Sequence, residues 1–402
     1  MTRVSRLAAS IEASATLALT GKANALKAAG RPVISFAAGE PDFISPEPVL
    51  DAARRAIAEG RTKYSPAPGL PELRDAVVED VKRRYGVERE RDEVIISNGA
   101  KHSLYNLLLA LVDPGEGVVF AAPYWVSYPW LVRLVGGRPI VLETRSEDNF
   151  RLDPELVIKT LDLEKPRVLL LNSPQNPTGA VYAAEDIDAI VAACVERGVT
   201  VISDEIYEEL VFGEAKHRSA LAVDSPAHRE HVIYVSGVSK SLAMTGWRIG
   251  YAVGPKAVIA AATRVQSHST SGPCTISQLA ALGGLREGAS AIASMRESFA
   301  ERSREIARLL GAIDGVRLAP PLGAFYAFPN IDHFCRGKLG GTPVSSDMEL
   351  AAALLDQAEI AAVPGTAFGS PGHLRLSFAL GLDELREGIG RMAKAFEDWE
   401  PA

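Results

Sequence analysis

Five short apolar runs, each closed by polar or turn-forming residues, constrain this chain more than any other feature of it. They lie at 94–97, 118–121, 168–172, 199–203 and 232–235, are rich in Val, Ile and Leu, and alternate with amphipathic segments. Continuous apolar strands separated by helices are the pattern of a mostly parallel sheet covered on its faces, an α/β architecture. Between the third and fourth runs, AAEDIDAIVAACVERG repeats Ile187, Ile190, Val191, Cys194 and Val195 at helical spacing, and Gly198 offers a left-handed stop. This predicts a crossover helix.

With 402 residues, 47% hydrophobic and 23% charged, the chain is long enough for more than one structural unit. A charged stretch at 290–310 reads as a long exposed helix, after which Pro and Gly punctuate strand-like pieces such as GAFYAFP and HLRLSFA. The expected division is a large domain at 47–290 and a smaller α+β domain at 291–402. Turn signals in 1–46 assign that segment to the small domain and to a subunit interface.

A net charge of −7 gives no footprint for binding a polyanion, so small-molecule chemistry is expected and nucleic acid is not. Cys194, Cys274 and Cys335 are scattered and odd in number, which argues against a disulfide framework or a zinc cluster and for a reducing compartment. Polar residues and Glu12 interrupt every apolar stretch of the N-terminus, and no run reaches the length of a membrane span. A cytoplasmic protein without a membrane partner is the expectation.

In open parallel sheets ligands bind beyond the carboxyl ends of the strands. There the apolar runs finish in NSPQNPTG, in DEIY and in SGVSKSLAMTGWRIG. Singly, these are a turn, a helix cap and a solvated lysine. Their order on successive strands argues for a shared site. Upstream, SNGAKHSLYNLLLAL offers a strand end, a glycine turn at Gly99, Ala100 and Lys101, and a helix whose first N–H groups suit an anion.

Together with AGEPDF, TKY, PYWVSYP, GAFY and a late RLS, these segments resemble the fold type I, class I pyridoxal-phosphate aminotransferases. Within them the chain is similar to the aspartate aminotransferase family, bacterial subgroup Ib, which includes aspartate/prephenate aminotransferases. The resemblance spans nearly the whole chain, and the lysine eight positions before the Arg of TGWRIG, with NP-x-G and D-x-x-Y upstream, makes it specific. It implies a pyridoxal 5′-phosphate cofactor, amino-acid and keto-acid substrates, and a homodimer with active sites at the subunit interface.

It also implies roles that the residue chemistry supports. Lys240 would form the Schiff base and then move the proton between substrate Cα and cofactor C4′. Asp204 would keep the pyridine nitrogen protonated, and Asn176 and Tyr207 would hydrogen-bond the phenolic oxygen. Arg248 would join the Gly99 turn at the phosphate, with Ser239, Ser236 and, from the other subunit, Tyr64. Gly237 stands where some relatives have a serine, which leaves open which hydroxyl reaches the phosphate. Trp125 would stack on the cofactor ring. Arg375 would clamp the substrate α-carboxylate beside Gly39, and Lys101, assisted by Thr16, would bind a distal carboxylate. His102 departs from the glutamine common in close relatives.

The expected reaction is transamination of L-aspartate with 2-oxoglutarate. Alternatives are glutamate/aspartate-prephenate transamination, an aromatic or specialised-metabolism aminotransferase, a β-lyase or oxidase-like relative, and a transcription regulator. The last would need a basic helix-turn-helix, which the residues before Ala38 lack.

Overall fold

The structure, a computed structural model, describes residues 3–12, 15–223 and 225–401, without the side chains of residues 15–17. Its centre is a seven-stranded sheet in the spatial order Val94–Ser97, Gly250–Val253, Val232–Gly237, Thr200–Asp204, Val168–Asn172, Gly117–Ala122, Arg138–Glu143. Gly250–Val253 runs antiparallel to both its neighbours, and the other pairings are parallel. Five of these strands are the apolar runs of the sequence. Alternate residues feed two cores: Val119, Leu169, Leu171 and Val201 pack on one face, and Phe120, Leu170, Ile202 and Val235 on the other. Burial on both faces explains why the runs are continuously apolar.

Two strands lay outside those runs. Arg138–Glu143 is one of the two edges of the sheet, largely open to solvent, and carries charge accordingly. Gly250–Val253 opens on a glycine because a Cβ there would lie 2.1 Å from the backbone nitrogen of Ala100.

The crossover helix is Ala184–Glu196, with Ile187, Ile190, Val191 and Cys194 buried and Gly198 at φ +66° just beyond it. The 290–310 stretch forms the helix Ala289–Gly311, but it is not simply exposed. Met295, Phe299, Ser303, Ile306 and Leu310 make a buried stripe at three- and four-residue spacing. That stripe seals another core with Phe325, Tyr326, Leu376 and Phe396, to which Ile34 and Phe36 of the N-terminal region also belong. The chain ends meet there directly, since Ile34–Ser35 pairs in parallel with Ile360–Ala361. Beside it Val363–Pro364, Leu374–Ser377 and Tyr326–Ala327 form a small antiparallel sheet. Among the described residues no helix is long and apolar enough to cross a membrane.

Register sets up the site. Asn172 pairs with Asp204 and Asp204 with Val235, so two neighbouring strands end level, the third runs two residues further to Gly237, and their following loops lie at the same edge.

Candidate active site

A cavity of about 490 Å³ opens at these carboxyl ends, lined among others by Asp204, Tyr207, Lys240, Arg248 and Arg375. Asp204 ends its strand and is 4% exposed. Its Oδ2 accepts the Tyr128 hydroxyl at 2.7 Å, and its carbonyl accepts Nδ2 of Asn172 at 2.8 Å. Burial raises the Asp204 carboxyl to about 6, against the hydrogen bond from Tyr128, which favours the charged form. The Lys240 Nζ donates to the Gly39 carbonyl at 2.5 Å. Burial first, and then the Arg375 charge, lower its ammonium to about 8. A lysine so placed supplies neutral, nucleophilic amine near neutral pH.

The turn at Gly99 caps the helix Ala100–Leu111 with φ +86°, and Ala100 and Lys101, the first helical residues, line the cavity. Arg248 locks the same corner. Its Nη1 donates to the Thr245 carbonyl at 2.7 Å and its Nη2 to the Asn98 carbonyl at 3.3 Å. A Cβ on Gly99 would stand 2.3 Å from that Nη2. Bare backbone, helix start and guanidinium thus gather at one corner the kinds of donor that suit an anion.

Ser239 lines the cavity, whereas Ser236 does not: its hydroxyl donates to Oε1 of Glu208 at 2.8 Å. Strand alternation is the reason, since Tyr234 shares its face and donates to the same oxygen at 2.5 Å. Tyr64 is 99% exposed and does not line the cavity of its own chain. Trp125 lines the cavity edge-on to Tyr128, ring centroids 5.5 Å apart, and the Lys101 ammonium sits 4.7 Å from the Trp125 centroid. Burial and the charge of Arg248 depress the Lys101 pKa. His102 accepts the Asn98 N–H at 3.3 Å through Nδ1 and is outside the cavity lining.

Arg375 is 2% exposed, with its guanidinium carbon 4.5 Å from the Tyr326 ring centroid. Nη1 donates to Oδ1 of Asn176 at 3.3 Å and Nη2 to the Ala37 carbonyl at 2.9 Å, while Nε is buried without a partner. Such an orphaned charged donor beside a cavity calls for an anion. Tyr207 and Tyr326 share a hydroxyl contact of 2.9 Å, and Gly39 leaves its would-be Cβ 3.8 Å from that Tyr326 oxygen. The Thr16 side chain lies outside the described residues.

Among the lining residues not singled out from sequence are Tyr128, Asn172 and Tyr326. Asn172, as the polar end of an apolar run, was the one open to inference. Its Oδ1 accepts the Asn176 N–H at 3.1 Å and so fixes the NSPQNPTG loop to the Asp204 strand.

The family model described as Aminotransferase class I and II matches residues 31–392. The chain belongs to this family. It is 45% identical over 397 residues to the aspartate aminotransferase of Streptomyces avermitilis, covering 98% of this chain and 97% of that one. It is 42% identical to the aspartate/prephenate aminotransferase of Thermus thermophilus, covering 98% and 99%. Among solved structures it is similar to the aspartate aminotransferase from Rhizobium meliloti, with a TM-score of 0.94, 37% identity and full coverage of both chains.

Class I and II aminotransferases of this kind depend on pyridoxal 5′-phosphate, and the corner and the buried pair fit that group. Lys240 offers an amine for its aldehyde, Asp204 a carboxyl for its ring nitrogen, and the Gly99–Arg248 corner donors for its phosphate.

Proposed function

We propose that this aminotransferase moves the amino group of L-aspartate to 2-oxoglutarate, releasing oxaloacetate and L-glutamate. The observation that carries this reading is that Arg375 and Lys101 line the same cavity as Lys240. Arg375 suits the α-carboxylate, its fork binding both oxygens, and Lys101 suits the distal carboxylate of a dicarboxylic substrate, with Thr16 assisting.

Bound pyridoxal phosphate supplies an aldehyde for the substrate amine and a ring that accepts the electron pair released at substrate Cα. Lys240 would hold that aldehyde through Nζ. Freed by the substrate amine, the same Nζ would take the proton from substrate Cα and deliver one at C4′. Asp204 would hold a proton on the ring nitrogen, and Tyr128 and Asn172 hold Asp204 in place. Asn176 and Tyr207 would donate to the phenolic oxygen, Trp125 would cover the ring, and Gly39 would let the substrate approach the backbone. The phosphate would be held by the backbone of Gly99, Ala100 and Lys101 and by Ser239 and Arg248. Of the two serines expected there, the structure turns Ser236 onto Glu208.

Tyr64 would complete the phosphate site of a partner subunit, a reading supported by its full exposure in its own chain. The homodimer is proposed on that ground. Units at 47–290 and 291–402, with 1–46 shared, are supported by the separate core that Ile34 and Phe36 join. We place the enzyme in the cytoplasm, a reading supported by its free cysteines.

Prephenate transamination is the second reading, favoured by the relatives named for both activities at 41–42% identity. A second carboxylate on that substrate could use Lys101 too. Initial rates with aspartate, glutamate and phenylalanine against oxaloacetate, 2-oxoglutarate and prephenate test both. Preference for aspartate with 2-oxoglutarate supports the first reading, and rates no higher than with phenylalanine sink it.

A further inference from the structure

A buried ionic cluster lies just outside the cavity. Glu208, 8% exposed, accepts the Tyr234 hydroxyl at 2.5 Å and the Ser236 hydroxyl at 2.8 Å through Oε1, which also faces Arg84 at 3.4 Å. Its Oε2 accepts the Tyr85 hydroxyl. Glu205, 1% exposed, accepts Ser203 Oγ at 2.8 Å and the Ala220 N–H at 3.0 Å through Oε1, and its Oε2 lies 2.7 Å from His217 Nε2. Glu205, Glu208 and His217 could meet at a cation, their ligand atoms lying within 4.8 Å. Each carboxylate oxygen already has a protein donor, however, and Arg84 brings positive charge to the group, so a metal has no role to fill.

Two buried carboxylates are costly, and apolar residues of similar volume commonly hold a core as well or better. What they supply here is connection. Glu208 directly follows Tyr207, and Ser236 precedes Lys240 by four residues on the strand that leads to it. Tyr85 and Arg84 close the helix Pro71–Tyr85. One carboxylate therefore ties the turn bearing Asp204 and Tyr207, the strand leading to Lys240, and a third element. Glu205 secures the other end of the same turn, where its N–H also donates to the Val235 carbonyl at 2.8 Å.

We infer that Glu208 is a positioning residue, which sets Tyr207 relative to Lys240 by fixing their two loops to one buried carboxylate. The inference rests on the aminotransferase reading of those two residues. Catalytic groups need placement to about half an ångström, and a misplacement of about 1 Å can cost a hundredfold in rate.

The test uses the holoenzyme with Glu208→Gln, Glu208→Leu, Ser236→Ala and Tyr234→Phe. Four quantities are read on each: kcat and KM for an amino donor, the pH midpoint of the visible absorbance of bound cofactor, and thermal stability. A looser Tyr207 donates less well to the phenolic oxygen, so the midpoint should move upward, by about half a pH unit or more in the Glu208 variants. kcat should fall roughly tenfold or more with KM near wild type. The single-donor deletions should shift both in the same direction by less. Glu208 variants that lose thermal stability but keep midpoint and kcat would overturn the inference. If the Glu208 variants do not fold, unmoved midpoints in Ser236→Ala and Tyr234→Phe overturn it equally. A wild-type enzyme that transaminates no donor would defeat the reaction reading, whereas an active wild type with unmoved variants defeats only the positioning role.

Discussion

The Tyr128 hydroxyl donates to Oδ2 of Asp204 across 2.7 Å, and neither side chain is more than 4% exposed. The pair explains how a carboxyl can be carried into the cavity wall at all. Burial drives Asp204 towards its neutral form and up to about 6, and the tyrosine resists that drive. A ring nitrogen in need of a proton would meet a carboxyl held by a fixed donor rather than by mobile water.

Asp204 should leave a signature in the cofactor-free protein. Its folded value of about 6 lies above the ordinary 3.8, so the folded state binds the proton more tightly. Stability from this group is therefore present at the acid end and lost as pH rises from about 4 to about 6, by roughly 3 kcal/mol at most. Asp204→Asn should flatten that slope, and Tyr128→Phe should extend it to higher pH. Urea unfolding of the three proteins across the interval checks this. Identical slopes in wild type and Asp204→Asn would refute it.

Lys240, depressed to about 8 by burial and Arg375, should capture the cofactor faster as pH climbs to about 8 and then level off. The neutral amine is the attacking species, and its fraction saturates there. Stopped-flow absorbance after adding pyridoxal phosphate to the cofactor-free enzyme measures the profile. A rate still rising steeply near pH 10, where an ordinary lysine titrates, would contradict the depressed value. Lys240→Ala should lose both the covalent label after borohydride reduction and transamination.

Gly99→Ala should weaken the phosphate corner. The added methyl would stand 2.3 Å from Nη2 of Arg248 and would impose a side chain on φ +86°. Arg248 must shift, which loosens a charge-assisted contact worth about 1.5–3 kcal/mol. Cofactor affinity should fall roughly ten- to hundredfold, by equilibrium titration of the cofactor-free variant. Unchanged affinity would separate this turn from phosphate binding.

How far the sequence speaks for this site follows from its locality. Asp204 and Lys240 stand at or just beyond the ends of runs buried on both faces, so continuous hydrophobicity marks their strands and the first polar residues mark the site. Tyr128 gave no such sign, because its partner is 76 residues away and PYWVSYP offers no rule for which aromatic turns inward. Ser236 and Ser239 could not be separated because the decision rests on where pleating stops. Ser236 is still within Val232–Gly237 and obeys its alternation, whereas Ser239 is past it. Arg138–Glu143 escaped notice for the opposite reason: unlike the buried edge strand Val94–Ser97, it is largely open to solvent and so is not continuously apolar.

Substrate choice should rest on Lys101. Its ammonium lies 4.7 Å from the centroid of Trp125, in the cavity shared with Arg375 and beside the Gly99 corner. Burial and the neighbouring Arg248 both disfavour its charge, so a dicarboxylate arriving there would meet a cation poorly compensated by its surroundings and gain correspondingly from pairing with it. A structural lysine at a helix start would affect all donors alike, and a phosphate ligand would act through cofactor affinity. A side-chain clamp instead discriminates among donors. Lys101→Met should lower kcat/KM for aspartate and glutamate by roughly ten- to a hundredfold, the loss of one charge-assisted hydrogen bond. Phenylalanine and alanine should change little, and cofactor affinity should hold. Parallel measurements on Thr16→Val should show a smaller loss of the same sign. Equal losses for aspartate and phenylalanine in Lys101→Met would make this residue part of the cofactor site, and specificity for a second carboxylate would then have to come from elsewhere in the cavity.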